Sequence, residues 1–128
     1  MYNTPPMIEV KTASLKRDKL NVIPIDKTRS AVAFYDGGRL KVIDDLCPHM
    51  GGPISQGKFC PKNRKIECPW HGYRFSTEDL ELKENPNEEI WVRHLAPEKA
   101  DTYKTPRYRL RELKCQVQGE TLAIQDRP

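Results

Sequence analysis

Two short pairs of soft ligands carry the chemistry of this chain. Cys47 and His49 are spaced C-x-H, Cys68 and His71 are spaced C-x-x-H, and eighteen residues separate the pairs. A thiolate and an imidazole in each of two loops are the donors an iron–sulfur cluster accepts. The same Cys₂His₂ set also suits a structural zinc ion. Zinc loops usually open on C-x₂₋₄-C, and a C-x-H opening departs from that pattern, so the cluster is the better expectation. Coincidence explains less, because the arrangement is doubled and glycine-rich. Pro48, Gly51, Gly52 and Pro53 exclude a helix at the first pair. Glycines there let backbone amides approach a buried anion closely. Metal binding is also the better first reading of four cysteines in a cytosolic chain, although they could form two disulfides.

The elements around the pairs read as short strands. Residues 7–15 and 20–25 are apolar enough for two strands, with 16–19 as a polar turn between them. Residues 30–35 and 40–43 flank Asp36-Gly37-Gly38, a hairpin signal because glycine supplies the positive φ of primed turns. Asp44 and Asp45 then lead into Cys47. Strands are expected over 54–59, 65–67 and 73–75, which would place the second pair between two strands. The stretch 78–89 is polar and acidic, 89–95 could be a strand, and 96–104 a loop or one helical turn. Leu113, Cys115 and Val117 alternate with polar residues, Gly119-Glu120 is a turn, and Leu122 and Ile124 alternate again, so 113–124 reads as a closing hairpin with one buried face. The expectation is an all-β domain of about ten short strands.

The remaining composition sets bounds. At 128 residues one domain is expected. Charged residues make up 31% and hydrophobic ones 37%, a thin supply for a large core, so a cofactor that ties loops together would help stability. The net charge of +4 is read as a solubility feature, and no nucleic-acid partner is expected. The N-terminus lacks a basic region followed by an apolar run, and no apolar stretch approaches a membrane span. A cytoplasmic protein without a membrane partner is expected.

The loops match the pattern C-x-H-x-G…C-P-x-H-G-x-x-F through Cys47, His49, Gly51, Cys68, Pro69, His71, Gly72 and Phe75. With these residues the chain resembles Rieske-type ferredoxins and Rieske domains of the kind associated with oxygenases, and the closing hairpin resembles that family's last strands. The resemblance implies an antiparallel sandwich or partial barrel with an inserted cluster-binding subdomain. Residues 1–45 and 106–128 would form the base sheets, 46–76 the cluster-binding subdomain, and 77–105 an extended insertion. It implies a [2Fe–2S] cofactor, with Cys47 and Cys68 on the inner iron and the Nδ1 atoms of His49 and His71 on the outer one. Two neutral imidazoles in place of two thiolates remove about two negative charges and raise the reduction potential. Electrons would pass along the histidine edge.

Departures from the family are informative. Quinol-oxidising members carry a disulfide between the two loops, and its places here resemble Gly52 and Trp70. Their Ser and Tyr hydroxyls, which bond cluster sulfur, correspond to Tyr73 and Phe75. Losing such bonds lowers the potential, to an expected value of about −150 to 0 mV. Pro106 or Pro86 could belong to a third, proline-bearing loop. Cys60 reads as an inert turn thiol, a further ligand or an exposed thiol, and Cys115 as a small core residue. Trp70 could shield the cluster, meet a partner or simply pack. Trp91 and His94 have no assignable role, and Arg107, Arg109 and Arg111 could dock an acidic partner but read first as a solvated strand face.

An oxygenase needs a second iron held by two His and a carboxylate, and only His94 lies outside the pairs. The expected function is a one-electron carrier, not an enzyme on its own, passing electrons from a flavin reductase to a terminal oxygenase. The alternatives are an accessory or regulatory redox subunit of another enzyme, or a zinc-binding interaction module.

Overall fold

Within Ser30–Asp36 the run Ala31 to Tyr35 is apolar without alternation, which suits a strand covered on both faces. The computed structural model describes residues 7–48, 51–70, 72–85 and 108–125. In it this run is strand β3, the centre of an antiparallel sheet between β2 (Asn21–Pro24) and β4 (Arg39–Asp44). Gly37 and Gly38 turn β3 into β4 with φ of +59° and +87°, the positive values that favour glycine there.

Two further sheets cover this central one. On one side lie β1 (Met7–Lys11), β10 (Thr121–Gln125) and β9 (Cys115–Gln118), in that order and antiparallel. Ile23, Ala31, Ala33 and Val42 from the central sheet pack there with Leu113, Leu122 and Ile124. On the other side, β5 (Lys58–Cys60), β6 (Lys65–Glu67), β7 (Arg74–Ser76) and β8 (Leu82–Glu84) form an antiparallel sheet inserted between β4 and β9. Val32, Phe34 and Ile43 pack there with Ile54, Ile66, Phe75, Leu80 and Leu110. The parity of β3 therefore serves two cores, alanines toward one and larger residues toward the other. The fold is all-β and antiparallel, with no α-helix among the described residues.

The returning chain stitches two layers together. Leu82 N–H donates to Tyr108 O and Leu110 N–H to Leu80 O, each at 2.9 Å. A few residues on, Asp44 N–H donates to Arg111 O and Leu113 N–H to Val42 O, again at 2.9 Å. The stretch 108–113 thus runs from the edge of the inserted sheet to the edge of β4.

Some local expectations change. Only 7–11 of the first expected strand is extended, followed by a 3-10 turn at Thr12–Ser14, and β1 and β2 belong to different sheets. The expected strand over 54–59 is a 3-10 turn, Ile54–Gln56, before β5 begins at Lys58. Gly57 closes that turn with its N–H donating to Ile54 O at 2.9 Å, and glycine suits the position because a Cβ would collide with the Glu67 carbonyl oxygen. The acidic stretch after residue 77 contributes β8. In the closing hairpin Val117 is 54% exposed, so the apolar alternation overstated its buried face. The expectations for 89–95, 96–104, Trp91, His94, Pro86, Pro106 and Arg107 lie outside the described residues.

Candidate metal centre

Each cysteine of interest opens a loop, and the two loops close in the same way. In the first, Cys47 N–H donates to Gly52 O at 2.7 Å and Gly51 N–H donates to Cys47 O at 2.7 Å. In the second, Cys68 N–H donates to Tyr73 O at 2.8 Å and Gly72 N–H donates to Cys68 O at 3.1 Å. The partners sit four and five residues after the cysteine in both cases. The fourth residue is glycine twice, with φ of +76° at Gly51 and +70° at Gly72. A side chain is disfavoured in that left-handed region, which explains one glycine in each motif.

These closures leave Cys47 and Cys68 2% and 1% exposed and seat them in the core that holds Ile54, Ile66, Tyr73 and Phe75. None of the four cysteines is in a disulfide. Two thiols at matched places in an apolar layer fit the sulfur-ligated side of a cluster. His49 and His71 lie outside the described residues. Among the described residues no three of His, Cys, Asp and Glu gather as a metal site.

The flanks of the loops are braced. The Asp45 carboxylate accepts from Ser55 twice at 2.7 Å, once from the backbone N–H and once from the hydroxyl, which ties the start of the first loop to its exit. At the second loop, Glu67 and Arg74 are register partners on β6 and β7, and Arg74 Nε donates to Glu67 Oε1 at 2.9 Å. Arg74 Nη1 also donates to Glu84 Oε2 at 2.7 Å. Glu84, first, and Glu67 raise the Arg74 pKa above its ordinary value. Lys58, Glu67, Arg74 and Glu84 make a row of alternating charge across the inserted sheet. Opposite charges facing each other across strands favour this register.

A third brace is remote from the loops. Asp36, at the end of β3, accepts from Arg64, Thr77 and Lys41. Those partners reach it from the β5–β6 turn, the exit of β7 and β4, so it joins the central sheet to the far end of the inserted one. The Arg64 hydrogen bonds first, with those of Thr77 and Lys41, hold its carboxyl well below the usual carboxylate range against the opposing effect of burial.

Trp70 is 54% exposed, and one side of its ring lies on Gly52 of the other loop. Leu46, beside Cys47, is 49% exposed. Tyr73 is 5% exposed with its ring 6.3 Å from that of Tyr108, and Phe75 is fully buried. Cys60 is exposed and Cys115 is half-buried against the other core. Burial first, then Glu112, raises the Cys115 pKa. Sequence reasoning missed the Asp45–Ser55, Glu67–Arg74 and Asp36–Arg64 pairs. The placement of Glu67 and Arg74 on either side of the C-P-x-H-G motif was the one available signal.

The fold and the twin cysteine loops suit an iron–sulfur protein, and the family comparison identifies it as one. The family model described as "Rieske [2Fe-2S] domain" matches residues 6–104, and the chain belongs to that family. Its cofactor is accordingly a [2Fe–2S] cluster. A cholesterol 7-desaturase of Ciona intestinalis is 47% identical over 45 residues, 35% of this chain and 9% of its own length. A 3-ketosteroid-9-alpha-monooxygenase oxygenase component of Rhodococcus rhodochrous is 34% identical over 62 residues, 48% of this chain and 16% of its own length. The chain therefore spans under a fifth of these curated relatives. The solved ferredoxin of carbazole 1,9a-dioxygenase from Nocardioides aromaticivorans IC177 superposes with a TM-score of 0.68 over 98% of this chain and 100% of that one. At 19% identity that likeness is one of fold. Among the described residues no helix is long and apolar enough to cross a membrane.

Proposed function

We propose that this protein is a one-electron carrier that passes electrons from a flavin-dependent reductase to a terminal oxygenase. Cys47 and Cys68 would hold the inner iron of its [2Fe–2S] cluster, and His49 and His71 the outer iron. The observation that carries this reading is the doubled loop, which buries both thiols with the same pair of backbone hydrogen bonds. The whole-length likeness in fold to an oxygenase-system ferredoxin supports it. The bound cluster supplies a site that accepts and releases one electron. The chain's own residues hold that site rigid: Asp45, Ser55, Glu67 and Arg74 brace the loops, and the apolar core keeps water from the thiolates. In this reading 46–76 is the cluster-binding subdomain, 1–45 and 106–128 are the base, and 77–105 is an insertion.

A second reading follows from the curated relatives, in which the matched stretch is a small part of an oxygenase component or of a desaturase. There the same module would deliver electrons within an oxygenase.

Iron and sulfide analysis with the EPR spectrum of the reduced protein tests the cofactor ligation. About two iron and two sulfide per chain, with the low average g that imidazole ligation produces, is the expected result. His71→Ala should abolish that signal, and its persistence would refute the ligand set. Stopped-flow reduction by a flavin reductase, followed by reoxidation with an oxygenase component, tests the carrier role. Stoichiometric zinc in place of iron would instead support the interaction module.

A further inference from the structure

Gly51 and Gly52 are neighbours in the first loop, and different constraints act on them. Gly51 has φ of +76° and open space where a Cβ would stand, so its backbone conformation favours glycine. Gly52 is outside the positive-φ region, so its own torsion does not call for glycine. A Cβ on Gly52 would lie 2.8 Å from Trp70 Cδ2, 3.1 Å from Cγ and 3.2 Å from Cε2. What excludes a side chain at Gly52 is the indole of the second loop.

Gly52 also carries the carbonyl that receives the Cys47 N–H at 2.7 Å, and it is buried although Gly51 and Trp70 beside it are exposed. The internal hydrogen bonds fix the shape of each loop but do not fix one loop against the other. At their bases the loops meet where Gly57 abuts the carbonyl of Glu67. Among the described residues a further contact between them is Trp70 on Gly52, which joins the turn holding Cys47 to the residue two places after Cys68.

We infer that Trp70 is a positioning residue that clasps the two ligand loops together through Gly52, fixing the spacing of Cys47 and Cys68 and covering the hydrogen bond that orients Cys47. The inference rests on the proposed reading of those cysteines as cluster ligands. Trp70 acts through backbone contact and needs no bond to the cluster. Its exposed position separates this role from fold stability, because the indole belongs to neither core. An aromatic plane suits the task, since a flat face can lie directly on a backbone that lacks a Cβ.

The experiment is iron release from the holoprotein to a chelator in excess, followed by loss of visible absorbance, for Trp70→Ala, Gly52→Ala, the double variant and Trp70→Phe. Trp70→Ala should keep the wild-type far-UV spectrum and release iron about tenfold faster or more. Gly52→Ala should do the same, and the double variant should match the faster single one within about twofold, because both remove one contact. Trp70→Phe should stay within about threefold of wild type, since it keeps a flat face. If Gly52→Ala fails to fold, the two Trp70 variants decide. Release from Trp70→Ala at the wild-type rate, multiplicative losses in the double variant, or a Phe variant as labile as the Ala variant would overturn the clasp. Wild-type protein without an iron–sulfide chromophore would instead refute the cluster reading itself.

Discussion

Arg64 faces Asp36 with two parallel hydrogen bonds, Nε to Oδ1 at 2.9 Å and Nη2 to Oδ2 at 2.8 Å. The Lys41 ammonium shares that carboxylate at 3.3 Å and reaches the carbonyls of Thr77 at 2.6 Å and Glu78 at 2.8 Å. Asp36 and Lys41 are both buried. Replacing Asp36 with Ala leaves a buried ammonium without its counter-charge, and breaking a buried pair in this way costs about 3–5 kcal/mol. Asp36→Ala is therefore expected to lower the melting temperature by well over ten degrees, measured by circular dichroism. A shift of a degree or two would show that the node does not join the layers.

Acid should expose the same node. The Asp36 carboxyl titrates below its ordinary 3.8 in the folded chain because Arg64 and its neighbours favour the ionised form. The unfolded chain then binds more protons, so the contribution is full above about pH 4 and declines as the pH falls below it. In Asp36→Asn this part of the acid sensitivity should vanish, measured as the pH dependence of the denaturation midpoint between pH 2 and 5.

The glycines with positive φ predict a paired result. Gly51→Ala and Gly72→Ala each put a Cβ in the left-handed region, at a cost of about 1–2 kcal/mol. Because the two loops close alike, both variants should weaken cluster retention to a similar degree. A variant with unchanged melting and unchanged iron release would show that its loop tolerates another conformation.

Charges at the second loop should tune the potential. Glu67 precedes Cys68 directly, and Arg74 pairs with it across β6 and β7. Glu67→Gln removes a negative charge near the proposed inner iron and should raise the midpoint, while Arg74→Gln should lower it. Both shifts should shrink with added salt, because Arg74 is half exposed. Shifts of the opposite sign in a redox titration would refute the electrostatic account.

The side chains after the second loop predict the wild-type value. Phe75 is fully buried and has no hydroxyl to give to a sulfur. A midpoint of about −150 to 0 mV is expected. A value well above about +100 mV would mean that other donors reach the cluster.

The sequence by itself determined the ligand candidates, the family and the strand-rich class. Fixed spacing among Cys47, His49, Cys68 and His71 is a local property, legible without coordinates, and so is the glycine turn between β3 and β4. The apolar, strand-forming run 30–35 was legible as a strand, and the structure showed that it is covered on both sides. Only the tertiary structure decided which partners the charged residues take. Asp36 meets Arg64 across 28 positions and Thr77 across 41, and no periodicity reports such a pairing. It also separated two adjacent glycines that look alike in sequence: Gly51 answers to its own backbone torsion, and Gly52 to a tryptophan eighteen residues away. Local spacing encodes which atoms are available to a cluster, whereas the packing of distant segments sets how firmly those atoms are held.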